Sequence, residues 1–472
     1  MDQERDQRML LWLVALGFFM QTLDATIVNT ALPAMAASLG ESPLRMQSVV
    51  VAYSLTMAML IPATGWMADR FGTRRVYVGA IVLFVLGSVL CAMAASLNML
   101  VAARVVQGLG GALLLPVGRL VVLRTFPRER FLQAMSFVAM PGLVGPLVGP
   151  TLGGWLVEVA SWHWIFLINV PVGVLGALAT LRYMPVPAPV STGRFDLAGY
   201  LMLAFGMVAL SLALDGLSGL GLRQAAVLVL MIFGLASLTA YWLHALRRPD
   251  PLFSPRLFQV GSLRIGLLGN LFSRLGSSCM PFLIPLLLQV TMGYSPAQAG
   301  MMMLPVALAS MSMKKLTTPL ITRHGYRRVL TVNTLLVGLT MASFAFSTPD
   351  QPLALRIVQL ALFGAVNSMQ FTAMNTLTLK DLEPGMASSG NSLLSMVQML
   401  AMGMGVAAAG AVLAAFTAYF GGEGAHTLPS FRATFGCMAL ITMASAGIFW
   451  QLAPADGGAA GSAAPPDTAA AD

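Results

Sequence analysis

The sequence carries very little charge. Only 10% of its 472 residues are Asp, Glu, Lys or Arg, whereas soluble globular proteins carry about 25%. Hydrophobic residues make up 57% of the chain, which excludes an ordinary soluble domain and indicates a polytopic membrane protein. A net charge of +9 would suggest nucleic acid as a partner of a soluble protein. In a membrane protein it reflects Lys and Arg collected in cytoplasmic loops, so we expect no nucleic-acid partner.

Cysteine and catalytic side-chain sets are also scarce. The three cysteines, Cys91, Cys279 and Cys437, all fall inside apolar runs, so the sequence offers neither a disulfide framework nor metal-ligand spacing. It has no phosphate-binding Walker loop, which argues against direct use of ATP. No Ser/His/Asp set emerges either. We therefore expect no enzyme activity, no metal and no cofactor.

Long apolar runs fill the chain instead. Fourteen runs reach spanning length, since about 20 apolar residues cross the hydrocarbon core of a bilayer. The first covers residues 9–32, the fifth 133–157 and the tenth 297–318. The seventh (197–214) and eighth (225–245) are short and are separated by a Gly-rich turn. The sequence predicts an all-α membrane protein with fourteen transmembrane helices.

The distribution of basic residues predicts the orientation. With the N-terminus placed inside, most of the 27 Lys and Arg residues fall in inside segments. Four fall outside (Arg45, Arg223, Arg356 and Arg432) and three within spans (Arg104, Arg119 and Arg274). Because positive loops stay in the cytoplasm, we expect a multi-pass protein of the bacterial inner membrane with both termini cytoplasmic.

A short loop sequence occurs twice. Residues 70–76 (RFGTRRV) recur as residues 323–329 (RHGYRRV), each time after the second span of a set of six. Such repeats are typical of transporters built from duplicated halves. We therefore predict six-helix bundles at 1–185 and 251–452, joined by a linker at 186–250 that holds two extra spans. The tail at 453–472 is expected to be disordered and cytoplasmic.

The first apolar run contains an acid. Asp24 lies within residues 10–33 (LLWLVALGFFMQTLDATIVNTALP), together with Gln21 and Asn29. A carboxylate at mid-span costs about 2.5–3.5 kcal/mol on insertion scales, and such residues usually face a cavity and have a function. We therefore expect a functional role for Asp24, with helix packing as the alternative.

Five stretches carry a resemblance to a known family. They are residues 23–33 (LDATIVNTALP), 65–75 (GWMADRFGTRR), 104–112 (RVVQGLGGA), 142–154 (GLVGPLVGPTLGG) and 162–171 (WHWIFLINVP). Together they resemble the fourteen-span drug:proton antiporters of the major facilitator superfamily. The resemblance covers nearly the whole chain. It implies two six-helix halves plus two extra central helices, and is specific for family but not for substrate.

The resemblance assigns residues to two mobile parts. The gating loop comprises Gly65, Asp69, Arg70, Gly72, Arg74 and Arg75. The antiporter helix, a hinge and seal, comprises Gly142, Gly145, Pro146, Gly149, Pro150, Gly153 and Gly154.

Each of these parts has a physical interpretation of its own. Asp69 is expected to accept bonds from the start of the thirteenth span, at residues 387–391. The alternative, positive-inside topology, explains the loop arginines but not the acid. In the antiporter helix, Gly145, Gly149 and Gly153 recur every four residues, so another helix can approach that face closely. Ordinary glycine packing is the alternative to the hinge.

Asp24 and Arg104 lie at similar depths by residue count, so a direct or water-bridged charge pair is expected. A buried arginine stays charged, whereas a carboxylate can be neutralised by a proton. This asymmetry makes Asp24 the proton switch and Arg104 the fixed charge. A static salt bridge is the alternative.

Polar residues within spans are candidates for a substrate cavity. They are Gln21, Asn29, Gln107, Asn270, Arg274, Asn367 and Gln370. Those in the second half could equally be interhelical hydrogen-bonding residues. Arg274 differs from the others, since an arginine at mid-span needs an anion, a carboxylate or water. Glu158 lies near a predicted outer end and is expected to be solvated.

The expected function is export of small molecules in exchange for protons, by a monomer in the bilayer. Drug:proton antiport is the class-level expectation. However, three arginines and one clearly buried acid suit an anion better than a cation. Export of an organic anion, such as citrate or another carboxylate metabolite, free or metal-chelated, is therefore the alternative. A transporter-like sensor or a membrane enzyme is a third hypothesis, which no signalling segment or catalytic set supports.

Overall fold

The structure, a computed structural model, describes residues 2–126, 128–185, 195–216, 224–383, 386–420 and 427–452. All the regular secondary-structure elements among these residues are helices. They are α1 (Asp2–Leu39), α2 (Gln47–Leu60), α3 (Thr64–Phe71), α4 (Thr73–Ala92), α5 (Leu97–Thr125), α6 (Arg128–Val159), α7 (Trp164–Leu167), α8 (Asn169–Tyr183), α9 (Leu197–Gly216), α10 (Gln224–Arg247), α11 (Gly261–Ser277), α12 (Met280–Val290), α13 (Pro296–Met301), α14 (Leu304–Ser343), α15 (Leu353–Leu379), α16 (Ala387–Tyr419), α17 (Thr427–Ala444) and α18 (Ala446–Trp450).

Twelve stretches of the described residues are long and apolar enough to cross a membrane. The all-α membrane fold predicted from the sequence is therefore confirmed, but the count of fourteen stays a prediction. The predicted fifth span lies in α6, parts of which are outside the described side chains. The predicted tenth span runs through α13 into α14, which continues across a kink at Gly325 into the next apolar run.

Four glycines with positive φ mark two equivalent pairs of turns. Gly40 and Gly293 have φ of 68° and 69°, and Gly72 and Gly325 have φ of 86° and 79°. The two glycines of each pair are the same number of residues apart, since 293 minus 40 equals 325 minus 72. Only glycine adopts this backbone without strain, so the repeated loop sequence corresponds to repeated geometry. Because successive long helices alternate in direction, Gly40 and Gly293 lie at one end of the bundle (the Gly40 face) and the other two at the opposite end (the Gly72 face).

The Gly40 face is sealed by helices from both ends of the chain. One buried apolar cluster joins the later part of α1 and the start of α2 to α12 and to the later part of α16. Two glycines allow backbones to meet there, across the seam between α6 and α13. A Cβ on Gly154 would lie 2.1 Å from the carbonyl oxygen of Pro296, and one on Gly300 would lie 2.3 Å from that of Pro150.

Polar contacts join the two halves of the chain at the same face, between α6 and α13 and between α1 and α12. The Glu158 carboxylate accepts from Ser295 Oγ (2.9 Å) and from the Ala297 N–H (3.3 Å). Gln289 Nε2 donates to the Thr30 carbonyl at 3.0 Å. Glu158 is exposed, as expected, but it is not merely solvated, because it bonds to the first turn of α13 in the opposite half of the chain.

Toward the Gly72 face, one large apolar cluster runs from α1–α5 through α9 and α10 to α11 and the first part of α16. Two smaller clusters lie apart from it. Val14, Val122, Ala134 and Val138 join α1, α5 and α6, and a different set joins α14 and α15 with α18. Helices α2 and α16 remain paired along their length, since Gly403 faces Ser54 and Gly410 faces Gln47. The two sides of the bundle are thus joined along α2–α16 and, at the Gly40 face, along α6–α13.

The two extra helices, α9 and α10, pack as a hairpin on one side of the bundle. Helix α9 contacts both α2 and α16, so it covers the seam between them, whereas α10 packs mainly on α9. Asp196, just before α9, anchors the hairpin: it accepts from His244 Nε2 (2.9 Å) and from the backbone N–H of Gly199 and Leu252 (3.1 and 3.3 Å).

The predicted division of the chain stays a prediction. Residues 186–194, where the linker was placed to begin, lie outside the described residues, as does the predicted disordered tail at 453–472.

Candidate functional site

Asp24 forms the centre of a fully buried polar network. Its side chain is inaccessible to solvent, and its Oδ2 accepts from Arg104 Nη1 at 2.7 Å. Arg104 is itself 1% exposed. The structure thus brings together the two charges that sequence reasoning placed at similar depth, as a direct pair without a bridging group. Breaking such a pair leaves an uncompensated buried charge, which is strongly unfavourable.

Amide side chains complete the carboxylate's coordination. Asp24 Oδ1 accepts from Gln107 Nε2 at 2.7 Å and from Asn169 Nδ2 at 3.3 Å. Both amides also donate to Ser88 Oγ, at 2.9 and 3.4 Å. Side chains of α5 and α8 therefore bond directly to the carboxylate on α1, and α4 joins the network through Ser88. With donors on both oxygens, the geometry is that of an ionised Asp24.

Arg104 has further partners that fix its position. Its Nε donates to the Val49 carbonyl (3.3 Å) and its Nη1 to Gln107 Oε1 (2.6 Å). The guanidinium also lies 4.1 Å from the centre of the Tyr53 ring, a cation–π contact. These contacts hold a permanent positive charge in place, whereas the carboxylate beside it can be neutralised by protonation.

The glycines of the antiporter helix pack against the Asp24 helix. A Cβ on Gly145 would meet Thr22 Oγ1 at 2.3 Å, one on Gly149 would meet Thr26 Oγ1 at 2.2 Å, and one on Gly153 would meet the Ile27 carbonyl at 2.5 Å. The predicted close approach of another helix therefore exists, and that helix is α1. Gly154 faces α13 instead, and the surroundings of Gly142 lie outside the described residues.

Pro146 and Pro150 of the same set lie inside α6, which also contains Pro141. Pro146 is exposed, whereas the Pro150 carbonyl accepts from Thr30 Oγ1 at 3.2 Å. Each proline lacks the N–H of a regular helical bond, so α6 can bend here.

The gating loop has a different partner from the expected one. Asp69 forms an ion pair with Arg124, in the last turn of α5, rather than with the start of the thirteenth span. A cation at a helix C-terminus is favoured by the helix dipole, so Arg124 is a local alternative that sequence spacing did not reveal. Gly72 has the predicted positive φ, next to Arg70, Arg74 and Arg75. Gly65 has open space around its Cα.

A second polar cluster lies in the second half. Arg274 Nε donates to Asn270 Oδ1 at 3.1 Å, and the guanidinium lies 4.4 Å from the centre of the Phe371 ring. Gln398 Nε2 donates to Asn270 Oδ1 (3.4 Å) and to Asn375 Oδ1 (2.6 Å). Among the described residues, the buried Nη2 of Arg274 has no partner and no carboxylate forms an ion pair with it. This cluster is cationic and incompletely bonded.

The remaining predicted cavity residues separate into two kinds. Gln21 and Asn29 are buried on α1, each with a side-chain oxygen that has no partner in the described chain. Asn367 is half-buried. Gln370, however, bonds to Asn333 and Thr334 of α14 at 2.7 Å each, so its amide serves helix packing, the alternative interpretation.

Sequence reasoning missed three residues of these networks as site residues: Ser88, Asn169 and Gln398. The available signal was a polar residue inside an apolar run, and for Asn169 its place in the sixth-span motif. Within the part of the chain that the structure describes, no three His, Cys, Asp or Glu side chains are grouped to hold a metal ion.

Comparison with known proteins identifies the family. The sequence model of the Major Facilitator Superfamily matches residues 14–406. The chain is 52% identical over 447 residues to a protein of Serratia proteamaculans strain 568, named "Putative multidrug resistance protein MdtD". That match covers 94% of this chain and 93% of the relative. A protein of the same name from Yersinia enterocolitica is 51% identical over 457 residues, covering 95% of each chain.

Solved structures agree on the fold. A POT family transporter in complex with 5-aminolevulinic acid superposes with a TM-score of 0.68, at 16% identity, covering 93% of this chain and 94% of that one. The human organic anion transporter MFSD10 (TETRAN) superposes with a TM-score of 0.61, also at 16% identity, covering 94% and 99%. At identities this low, the superpositions support a shared fold and nothing about substrate or mechanism. Because the family model and these relatives match most of its length, the chain belongs to the Major Facilitator Superfamily and is a multi-pass membrane transporter, not an enzyme.

Proposed function

We propose that this transporter exports small molecules across the bacterial inner membrane in exchange for protons, and that Asp24 carries the proton. One observation supports this most: a solvent-inaccessible carboxylate paired with an arginine and bonded by two amide side chains, with its three donors on two other helices. The names of the relatives, which refer to multidrug resistance, favour drugs as the substrate class.

Coupling follows from the difference between the two states of Asp24. While ionised, it attracts Arg104 and holds α1 against α4, α5 and α8. When protonated, it no longer attracts the guanidinium, so the same helices are held less tightly. A proton arriving from outside thereby favours one arrangement of the bundle, and its release to the cytoplasm favours the other. A ligand shifts such an equilibrium only through this kind of differential interaction.

The membrane potential drives export whenever a cycle moves net positive charge inward, as in the exchange of a neutral substrate for a proton. One such charge contributes about 2.3 kcal/mol per 100 mV, which corresponds to a concentration ratio of roughly 50-fold. Exchange of one monovalent cation for one proton moves no net charge and is driven by the concentration gradients alone. The exchange needs two alternately open faces. We assign the sealed Gly40 face to the periplasmic side, as the basic loops predict, so that the structure is closed to the outside.

A transport assay tests this proposal. Purified protein in liposomes with an inside-acid pH gradient and an internal pH dye should dissipate the gradient when a cationic drug is added outside. Asp24→Asn should abolish that response, because an amide does not bind and release a proton. Asp350→Asn, which changes an exposed acid, is the matched control and should respond normally. An Asp24→Asn protein with normal proton-coupled transport would refute the proposal.

Export of an organic anion is the second candidate. Arg274 supports it, because its buried guanidinium lacks a carboxylate partner while the one acid buried at mid-span in the described chain is already paired with Arg104. A carboxylate substrate would supply the missing acceptor. Cationic recognition in a low-dielectric cavity would need additional acids, which the described spans do not provide.

The same liposomes distinguish the two candidates. Citrate and a cationic dye are added in turn to the wild type and to Arg274→Gln. A response to the dye alone supports the drug exporter. A response to citrate alone that Arg274→Gln abolishes supports the anion exporter. Flux in vesicles that contain only this protein also excludes a sensor that does not transport.

A further inference from the structure

Asp24 is surrounded by donors alone. Its two oxygens accept from Arg104, Gln107 and Asn169, which suits the ionised carboxylate. A protonated carboxyl group has an O–H that needs an acceptor, and a buried O–H without one is unfavourable. If Asp24 carries a proton, as proposed above, one of its neighbours must therefore present an oxygen.

Two of the three donors cannot do so. Arg104 has five N–H groups and no acceptor atom. Gln107 has an amide oxygen, but Arg104 Nη1 donates to it at 2.6 Å and Cys91 Sγ at 3.6 Å. Turning the Gln107 amide over would place its NH₂ against the Arg104 guanidinium, donor against donor. Its orientation is therefore fixed for as long as Arg104 stays in place.

Asn169 has the freedom that Gln107 lacks. Both of its side-chain bonds are donated by Nδ2, at 3.3 Å to Asp24 and 3.4 Å to Ser88, and each is longer than the bond from Gln107 Nε2 to the same residue (2.7 and 2.9 Å). Its Oδ1 accepts no hydrogen bond in the described chain. Asn169 is 2% exposed and is the first residue of α8, directly after the break that separates α8 from α7. A half-turn of this amide would direct Oδ1 toward Asp24 without disturbing Arg104.

We propose that Asn169 is the positioning residue for the proton: its amide donates to ionised Asp24 and turns over to accept the O–H of protonated Asp24. This inference rests on the proposed role of Asp24 as proton carrier. Ser88 assists, because a hydroxyl can donate or accept and so can bond to either face of the amide. The other titratable groups close to Asp24 are Arg104, Tyr53 and Cys91. Of these, Tyr53 carries a buried hydroxyl without a partner among the described residues, but no hydrogen bond joins it to Asp24, whereas Asn169 already contacts the carboxylate.

One infrared signature tests the proposal. Infrared difference spectra of the purified protein in deuterated buffer report the O–D stretch of protonated Asp24, identified by its loss in Asp24→Asn. Asn169→Leu removes the acceptor, so this band should shift to the higher frequency of a hydroxyl without a hydrogen bond. Were Asn169 only a donor to the carboxylate, the band would not move. Asn169→Gln, which keeps an amide oxygen, should restore the band position partly.

Two control variants separate this effect from a general disturbance of the fold. Asn333→Leu removes another buried asparagine, one that bonds to Gln370 and not to Asp24, and should leave the O–D band of Asp24 unchanged. If Asn169→Leu does not fold, Asn169→Ala also removes the oxygen and serves in its place. A purely structural residue would lower the exchange rate without moving the band.

The outcomes are distinct. An O–D band that does not move in a folded Asn169→Leu protein overturns the role of Asn169 and leaves Asp24 as the carrier. A wild type with no O–D band that depends on Asp24 at any pH overturns the proposed function itself, and the role of Asn169 with it.

Discussion

Adding one methyl group at Gly154 should favour opening of the Gly40 face. Gly154 on α6 meets Pro296 on α13, and the Cβ of Gly154→Ala would lie 2.1 Å from the Pro296 carbonyl oxygen. That oxygen belongs to the backbone, so the contact cannot be relieved by a side-chain rotation. The two helices would have to move apart by about 1 Å to restore an ordinary contact.

The size of the effect follows from overpacking. Forcing an extra methyl into a well-packed contact costs about 1–3 kcal/mol. Because only the closed arrangement suffers the clash, this free energy acts on the equilibrium between closed and open arrangements, a shift of roughly 5- to 150-fold. Gly300→Ala should act in the same direction, since its Cβ would lie 2.3 Å from the Pro150 carbonyl oxygen.

Single-molecule FRET measures this shift. Dyes on Ser42→Cys and Asp350→Cys, exposed on turns of the Gly40 face, report the separation of the two halves once the native cysteines are replaced. Gly154→Ala should populate the long distance and slow transport. Gly79→Ala is the matched control, because a Cβ there meets open space. Distances unchanged in Gly154→Ala, with normal transport, would refute the assignment of this seam as the outer gate.

Three further predictions concern charged groups outside the spans. Glu158→Gln should open the Gly40 face more often in the same FRET assay, because an amide accepts more weakly than a carboxylate from the start of α13. Asp69→Asn should impair transport in liposomes, whereas exchanging the two charges (Asp69→Arg with Arg124→Asp) should recover part of it; normal transport by Asp69→Asn would remove the gate hypothesis. Burial alone would raise the pKa of Asp196, but the bonds from His244 and from backbone N–H groups outweigh it and hold that pKa below its usual value. The resulting stability is complete above the unfolded pKa of about 4 and is lost as the pH falls through the folded value. Thermal unfolding at pH 3 and 5 should therefore differ more in the wild type than in Asp196→Asn.

Much of the fold could be predicted because the bilayer imposes simple rules. Apolar length identified the spans, and the repeated loop sequence identified equivalent turns, since a positive φ requires glycine at Gly72 and Gly325 alike. The exceptions have physical causes. A kinked helix continues through Gly325, so two predicted spans form one element, α14.

The candidate site was predictable only in part. An acid and an arginine at similar depth indicated the Asp24–Arg104 pair, because each charge needs the other in a low-dielectric interior. Asn169 and Ser88 gave no comparable signal, since neutral polar residues are common in spans and only the helix arrangement brings them to Asp24. Asp69 illustrates a different difficulty. The sequence indicated that this carboxylate needs a hydrogen-bond donor, but the start of α16 and the end of α5 could each provide one. Sequence spacing does not choose between these two helix ends.

The position of the α9–α10 hairpin has a consequence for how molecules dissolved in lipid could reach the interior. A bundle of two halves has two lateral seams, and one of them, α2–α16, lies behind α9 and then α10. A lipophilic molecule in either leaflet therefore meets a double wall on that side. The opposite seam has no such cover from the hairpin and is joined by α6 and α13 at the Gly40 face. We therefore expect any sideways entry from the membrane at the other flank, next to the glycine-rich helix α6 that packs on α1, the helix of Asp24.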